Sequence, residues 1–186
     1  MKKRTLILGA VMIGAMCGYT VLGQTATNDL SLGMPEVLLL KSNSTTVNLT
    51  LTPQEAGLPV LSSLSNSDAR VLVSSVVSGT QTRTMTASIS AGTVPAGTYL
   101  KIQALTPNTN FVGTAGTMGS EATLVNGGDA QIIITGIGTC YSGTASDDGY
   151  GLKYTYGISG STADYALIRA SGGASVTVTL TLSAGA

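Results

Sequence analysis

The one adjacent pair of acidic side chains in the 186-residue chain is Asp147 and Asp148, within Ser146-Asp147-Asp148-Gly149. Two carboxylates flanking a glycosidic bond can hydrolyse it, one as the acid and the other as base or nucleophile. The same pair, joined by loop carbonyls, is half of a calcium site, because hard cations take several oxygen ligands. The regular acidic spacing of a calcium loop is missing, however. Asp followed by Gly is also what a tight turn needs, Asp accepting backbone hydrogen bonds and Gly supplying positive φ. The turn is the favoured reading, with no catalytic or metal-binding role assigned.

The sequence contains no histidine, which removes the usual general base and the commonest transition-metal ligand. Ser-His-Asp and Cys-His sites are excluded. A Ser-Lys site would need one of Lys41, Lys101 or Lys153, and all three fall at strand or strand-edge surface positions. The chain is therefore expected not to be an enzyme and to need no cofactor.

Recognition is a better prospect. Five of the seven tyrosines are Tyr141, Tyr150, Tyr154, Tyr156 and Tyr165, and tyrosine offers an apolar body with a polar tip to a sugar or a protein. Tyr154 and Tyr156 share a strand face with Leu152 and Ile158, which predicts a core position. That leaves Tyr150 and Tyr165, beside Asp147 and Asp148, as the expected recognition surface. Glu36 precedes an apolar run, where burial would be costly without a partner. The sequons at Asn43 and Asn48 are assigned no function, since the pattern is frequent by chance.

These residues must be carried by strands. Val176, Val178, Leu180 and Leu182 alternate with Thr177, Thr179 and Thr181, and period two puts the aliphatic row on a core and the threonines in solvent. The pattern recurs in Val47-Leu49-Leu51, Met85-Ala87-Ile89, Leu100-Ile102 and Leu152-Tyr154-Tyr156-Ile158. Residues 37–40, 71–77 and 132–134 are more continuously apolar and are expected to lie centrally, covered on both faces. Turn residues separate these runs, and beyond the leader no window holds a helical period. About eight strands predict an all-β fold, a single antiparallel β-sandwich with Greek-key connections; a β-barrel is the alternative.

Lys2, Lys3 and Arg4, followed by an apolar run to Cys17, read as a signal peptide. Cleavage before Gln24 divides the chain into a leader, 1–23, and a sandwich domain, 24–186, with no membrane span left after cleavage. Cys17 as a lipid acceptor is the competing reading, with Met16 poorly placed before it. Losing the leader leaves six basic against nine acidic residues, a net charge of −3 that offers nothing to nucleic acid. Cys140 then has no internal disulfide partner, and its apolar neighbours favour burial. Export across the inner membrane follows, to the periplasm, the cell surface or the medium.

Three phrases, Met34-Pro35-Glu36-Val37-Leu38-Leu39-Leu40, Gly92-Thr93-Val94-Pro95-Ala96-Gly97-Thr98 and the run from Ile132 to Gly143, resemble a group of small secreted proteins of Bacteroidetes-type bacteria. The resemblance implies export and a compact fold and carries no catalytic residues. The strand pattern also resembles spore-coat-U and fimbrial-type subunits, which polymerise when one copy lends a strand to the next. On that footing the expected function is a secreted or cell-surface structural or adhesive protein, a filament subunit joined by strand exchange. Val176, Val178, Leu180 and Leu182, or residues 24–40, are the candidate exchanged elements, and the partner is the chain itself or another surface protein. The alternative is a monomeric module that binds glycan or protein.

Overall fold

The alternating aliphatic and threonine runs form strands in a computed structural model that describes residues 24–43, 46–60, 62–160, 162–170 and 173–185. The expected leader, including Cys17, and Ser44 and Thr45 of the first sequon lie outside the described residues. Residues 24–33 carry no regular secondary structure, and residues 34–186 make up a separate compact unit.

That unit contains β1 (Val37–Ser42), β2 (Ser63–Val76), β3 (Arg83–Gly92), β4 (Thr98–Leu105), β5 (Val112–Gly113), β6 (Thr117–Met118), β7 (Ala122–Leu124), β8 (Gln131–Ile137), β9 (Cys140–Tyr141), β10 (Tyr150–Ile158) and β11 (Val176–Ala184), with one helical turn, α1 (Thr162–Tyr165). All pairings are antiparallel, in a seven-stranded and a four-stranded sheet with open edges. The fold is a β-sandwich and not a closed barrel. After β1 each long strand changes sheet: β2, β4 and β10 build the larger sheet, while β3, β8 and β11 build the smaller.

In the larger sheet Val71 pairs with Ser42 of β1 and with Tyr150 of β10, so these strands flank β2 on opposite edges. By the same test β9, which meets Ser74 and Ser75 opposite Leu39 and Leu38, continues the β10 edge. β10 also pairs β4, and β4 pairs β7. The inward row includes Val71, Val73, Ile102, Ala104 and Leu152. Facing it are Met85 and Ala87 of β3, Ile134 and Ile137 of β8, and Leu182 of β11, in one continuous core.

Three expectations need correction. Residues 37–40 are not central: β1 is an edge strand, and Leu38 and Leu39 are exposed. Residues 132–134 are not covered on both faces, since Ile132 is exposed while Ile133 and Ile134 are both buried. Met85 pairs Ile134 and Thr86 pairs Ile132, which leaves Ile133 as an extra residue. Such a bulge lets consecutive side chains point inward. Third, Val47 and Leu49 do pack against the core and alternate with exposed neighbours, yet residues 46–52 form no strand.

Candidate functional site

The turn at Asp147–Gly149 is a structural corner. Asp148 is buried, and its Oδ1 accepts from Asn108 Nδ2 and Asn110 Nδ2, each at 2.8 Å, while Oδ2 accepts from Ala145 N at 2.8 Å. Those hydrogen bonds, led by the Asn108 amide and then the Asn110 amide, hold the Asp148 carboxyl below the usual carboxylate range. Asn108 Oδ1 in turn accepts from Asn110 N, so the asparagine amides aim donors at the carboxylate. That arrangement suits an anion, not a cation. Asp147 is exposed, with its carbonyl accepting from Asn108 Nδ2 at 3.2 Å. Gly149 sits at φ +82°, where a Cβ would lie 2.2 Å from the Val71 carbonyl oxygen, so a side chain here would collide with β2.

Tyr150 is not on the surface. Its side chain is fully buried, the ring lies 5.2 Å from that of Phe111, and its hydroxyl donates to the Ala115 carbonyl at 2.6 Å. Burial pushes the Tyr150 phenol well above its ordinary range, and burial alone raises that of Tyr154, to about 12. Asp148 and Tyr150 therefore drop out of any accessible recognition surface. The signal was available: Tyr150 has the same strand parity as Leu152 and Tyr154, so extending the face by one step puts it in the core.

Tyr165 remains accessible, 41% exposed, on a shallow cleft of about 300 Å³ shared with Pro59, Val60 and Ile158. Its hydroxyl accepts from Val60 N at 3.3 Å. The lysines are occupied elsewhere: Lys101 and Lys153 approach Glu121 at 3.5 and 3.8 Å, and Thr155 donates to Glu121 at 2.7 Å. The Thr155 hydrogen bond is the main reason that the Glu121 carboxyl titrates below its usual value, the two lysines adding to it. Lys41 is exposed on β1. Among the described residues no group of three or more His, Cys, Asp or Glu is placed to hold a metal ion.

Glu36 is paired, not buried. Its carboxylate is 47% exposed and accepts from Arg83 Nη2 at 2.6 Å, while the Arg83 side chain is only 6% exposed. This ties the residue before β1 to the start of β3. Cys140 is a buried free thiol, pushed up to about 11 by burial despite a backbone hydrogen bond from Ser75.

The remaining unusual feature is an edge. A sheet edge presents unpaired N–H and C=O groups, and proteins commonly blunt it with shortness, charge, proline or bulges. β5 and β6 have two residues each and β7 has three. β1 follows Pro35 and Glu36 and contains Lys41. On the β1 side of β2, Asn43 bonds the Arg70 N–H and C=O, and before that the strand carries a register shift against β10 between Ala69 and Asn66. There Asn66 Oδ1 accepts from Asp68 N, Asn66 Nδ2 donates to the Asp68 carboxylate, and Arg70 follows.

β11 has fewer such devices. It is nine residues long, β3 is the only strand it pairs with among the described residues, and residues 170–186 contain neither a charged side chain nor proline. A register shift occurs between Thr177 and Val178, close to its start. Val176, Val178 and Leu180 are only half-buried, whereas Leu182 is buried. The row expected from the sequence exists, and its first three members are incompletely covered. No protein-family model, curated protein or solved structure matches the chain, so the site is defined by its geometry alone.

Proposed function

We propose that the protein is an exported structural or adhesive β-sandwich that assembles at the cell surface or outside the cell, with β11 as its joining edge. One observation carries the reading: β11 is a long, uncharged edge strand in a molecule whose other edges are short, charged, proline-flanked or broken. A strand added there would satisfy the backbone groups left over by β3 and cover the half-buried Val176, Val178 and Leu180. The leader-like start of the sequence supports export.

Negative-stain electron microscopy of the protein from an extracellular fraction, with sedimentation analysis of the purified protein, tests the reading. Filaments or ordered oligomers are expected. Monomers at millimolar concentration would reject self-assembly. They would favour the second reading, a binding module for glycan or a surface partner, which rests on the accessible Tyr165 cleft.

A further inference from the structure

The basic residues of the sandwich are not scattered. Residues 34–186 hold six, and two of them are engaged within the chain: Arg83 is buried against Glu36, and Arg169 Nη1 donates to the carbonyls of Ala166 and Ile168. The other four, Lys41, Arg70, Lys101 and Lys153, stand on the outer face of the larger sheet. Their strand neighbours Ala69, Val71, Leu100, Ile102 and Leu152 point into the core, and Lys41 pairs with the outward Leu72. The registers line the four up. Lys101 pairs with Thr155, two residues beyond Lys153; Arg70 pairs with Gly151, two residues before Lys153; and Lys41 pairs with Leu72, two residues beyond Arg70. Each cation therefore lies one strand over and two residues along from the last, on one diagonal. A step of this kind is roughly 8 Å, so the row runs roughly 24 Å across β4, β10, β2 and β1.

Among the described residues Glu121 is the one carboxylate within ion-pair distance of this row, shared by Lys101 and Lys153, and Lys41 and Arg70 have no ion-pair partner. Even counting Asp68 at the β2 bulge, the face stays positive in a domain whose acidic residues outnumber its basic ones. Evenly spaced like charges in a straight line complement a linear polyanion, whereas a compact anion would meet only one of them. Single-stranded nucleic acid is commonly held on aromatic faces interleaved with cations. No aromatic side chain separates successive cations here: the outward residues around them are Thr155, Gln103, Gly151, Leu105 and Leu72. Tyr99, at the far end, already has the Lys101 ammonium 4.8 Å from its ring centre. Hydroxyl and amide groups such as those of Thr155 and Gln103 suit the hydroxyls of a sugar. We propose that the outer face of the larger sheet binds a linear acidic polysaccharide along the row of Lys101, Lys153, Arg70 and Lys41. β11 belongs to the other sheet, so the site serves a monomer as well as an assembly.

The test titrates alginate, a uronate polymer, into the full chain, into its double variant Lys41→Gln/Lys153→Gln, and into Arg169→Gln as a control for net charge. Both lysines are at the surface, and circular dichroism verifies that the double variant keeps its fold. The parent should bind alginate and not neutral dextran. In the double variant the slope of log affinity against log salt should fall by roughly 1.4, at about 0.7 per cation lost. Arg169→Gln should leave that slope unchanged. Acetylation of the parent checks the site without any substitution, since bound alginate should slow the reaction at Lys41, Lys101 and Lys153. An absence of alginate binding, an equal loss of slope in both variants, or protection confined to Lys2 and Lys3 would overturn the site and leave the assembly reading untouched. Poly-dT bound as tightly as alginate, and released by the same double variant, would overturn polysaccharide as the occupant.

Discussion

The corner around Asp148 and the edge along β11 use the same material, backbone amides and small polar side chains, to opposite ends. At the corner the two buried polar side chains are matched inside the molecule: two asparagine amides and one backbone amide on the Asp148 carboxylate, and the Tyr150 hydroxyl on the Ala115 carbonyl. Along β11 the groups facing β3 are matched, and among the described residues no strand pairs with its other edge. Polar residues concentrated in a loop thus mark rigidity here. The plainest sequence in the chain, Val-Thr-Val-Thr-Leu-Thr-Leu, marks the place where bonding capacity is left over.

Three measurements would break or sharpen this contrast. Tyr150→Ala should be the most damaging, lowering stability by about 3–5 kcal/mol in urea unfolding, as for other buried aromatic truncations. A loss within 1 kcal/mol would mean that the corner is not structural. Asp148→Asn should lower the melting temperature at neutral pH and show how the corner depends on acid. The folded carboxyl lies below its ordinary value of 3.8, so its contribution is complete above the unfolded pKa and is lost as pH falls through the lower, folded one. The gap between parent and variant should stay constant above about pH 5 and shrink toward pH 2; a gap that persists at pH 2 would assign the effect to packing alone. Thr181→Lys, on the exposed face of β11, should change monomer stability by no more than about 0.5 kcal/mol. It should nevertheless weaken assembly, because an edge lysine is a standard block to strand addition. Undiminished assembly in that variant would move the joint away from β11.

Much of the fold is legible in the sequence, because period two directly reports which side chains share a face. β3, β4, β10 and β11 follow from it, as does the inward row of each. The same pattern is silent about backbone partners. Residues 46–52 alternate as a strand should and form none, and residues 37–40 look central but lie at an edge, because hydrophobicity does not encode sheet order. The bulge at Ile133 hides behind three identical isoleucines. At the candidate site, the turn at Gly149 and the burial of Cys140 are readable from residue type. The asparagines that hold Asp148 lie 38 and 40 positions away and are not. The bareness of the β11 edge emerges only once every other edge can be inspected.

The alternation of long strands between the two sheets also governs the order in which the molecule can form. β10 stands between β2 and β4, so the larger sheet stays in two pieces until residues 150–158 are available. β3 obtains one of its two neighbours only when residues 176–184 arrive. Pairings between strands so distant along the chain are slow to close, since loop entropy must be overcome before contacts are gained. A chain wired in this way stays open until nearly all of it is present, a delay that would suit the export proposed above.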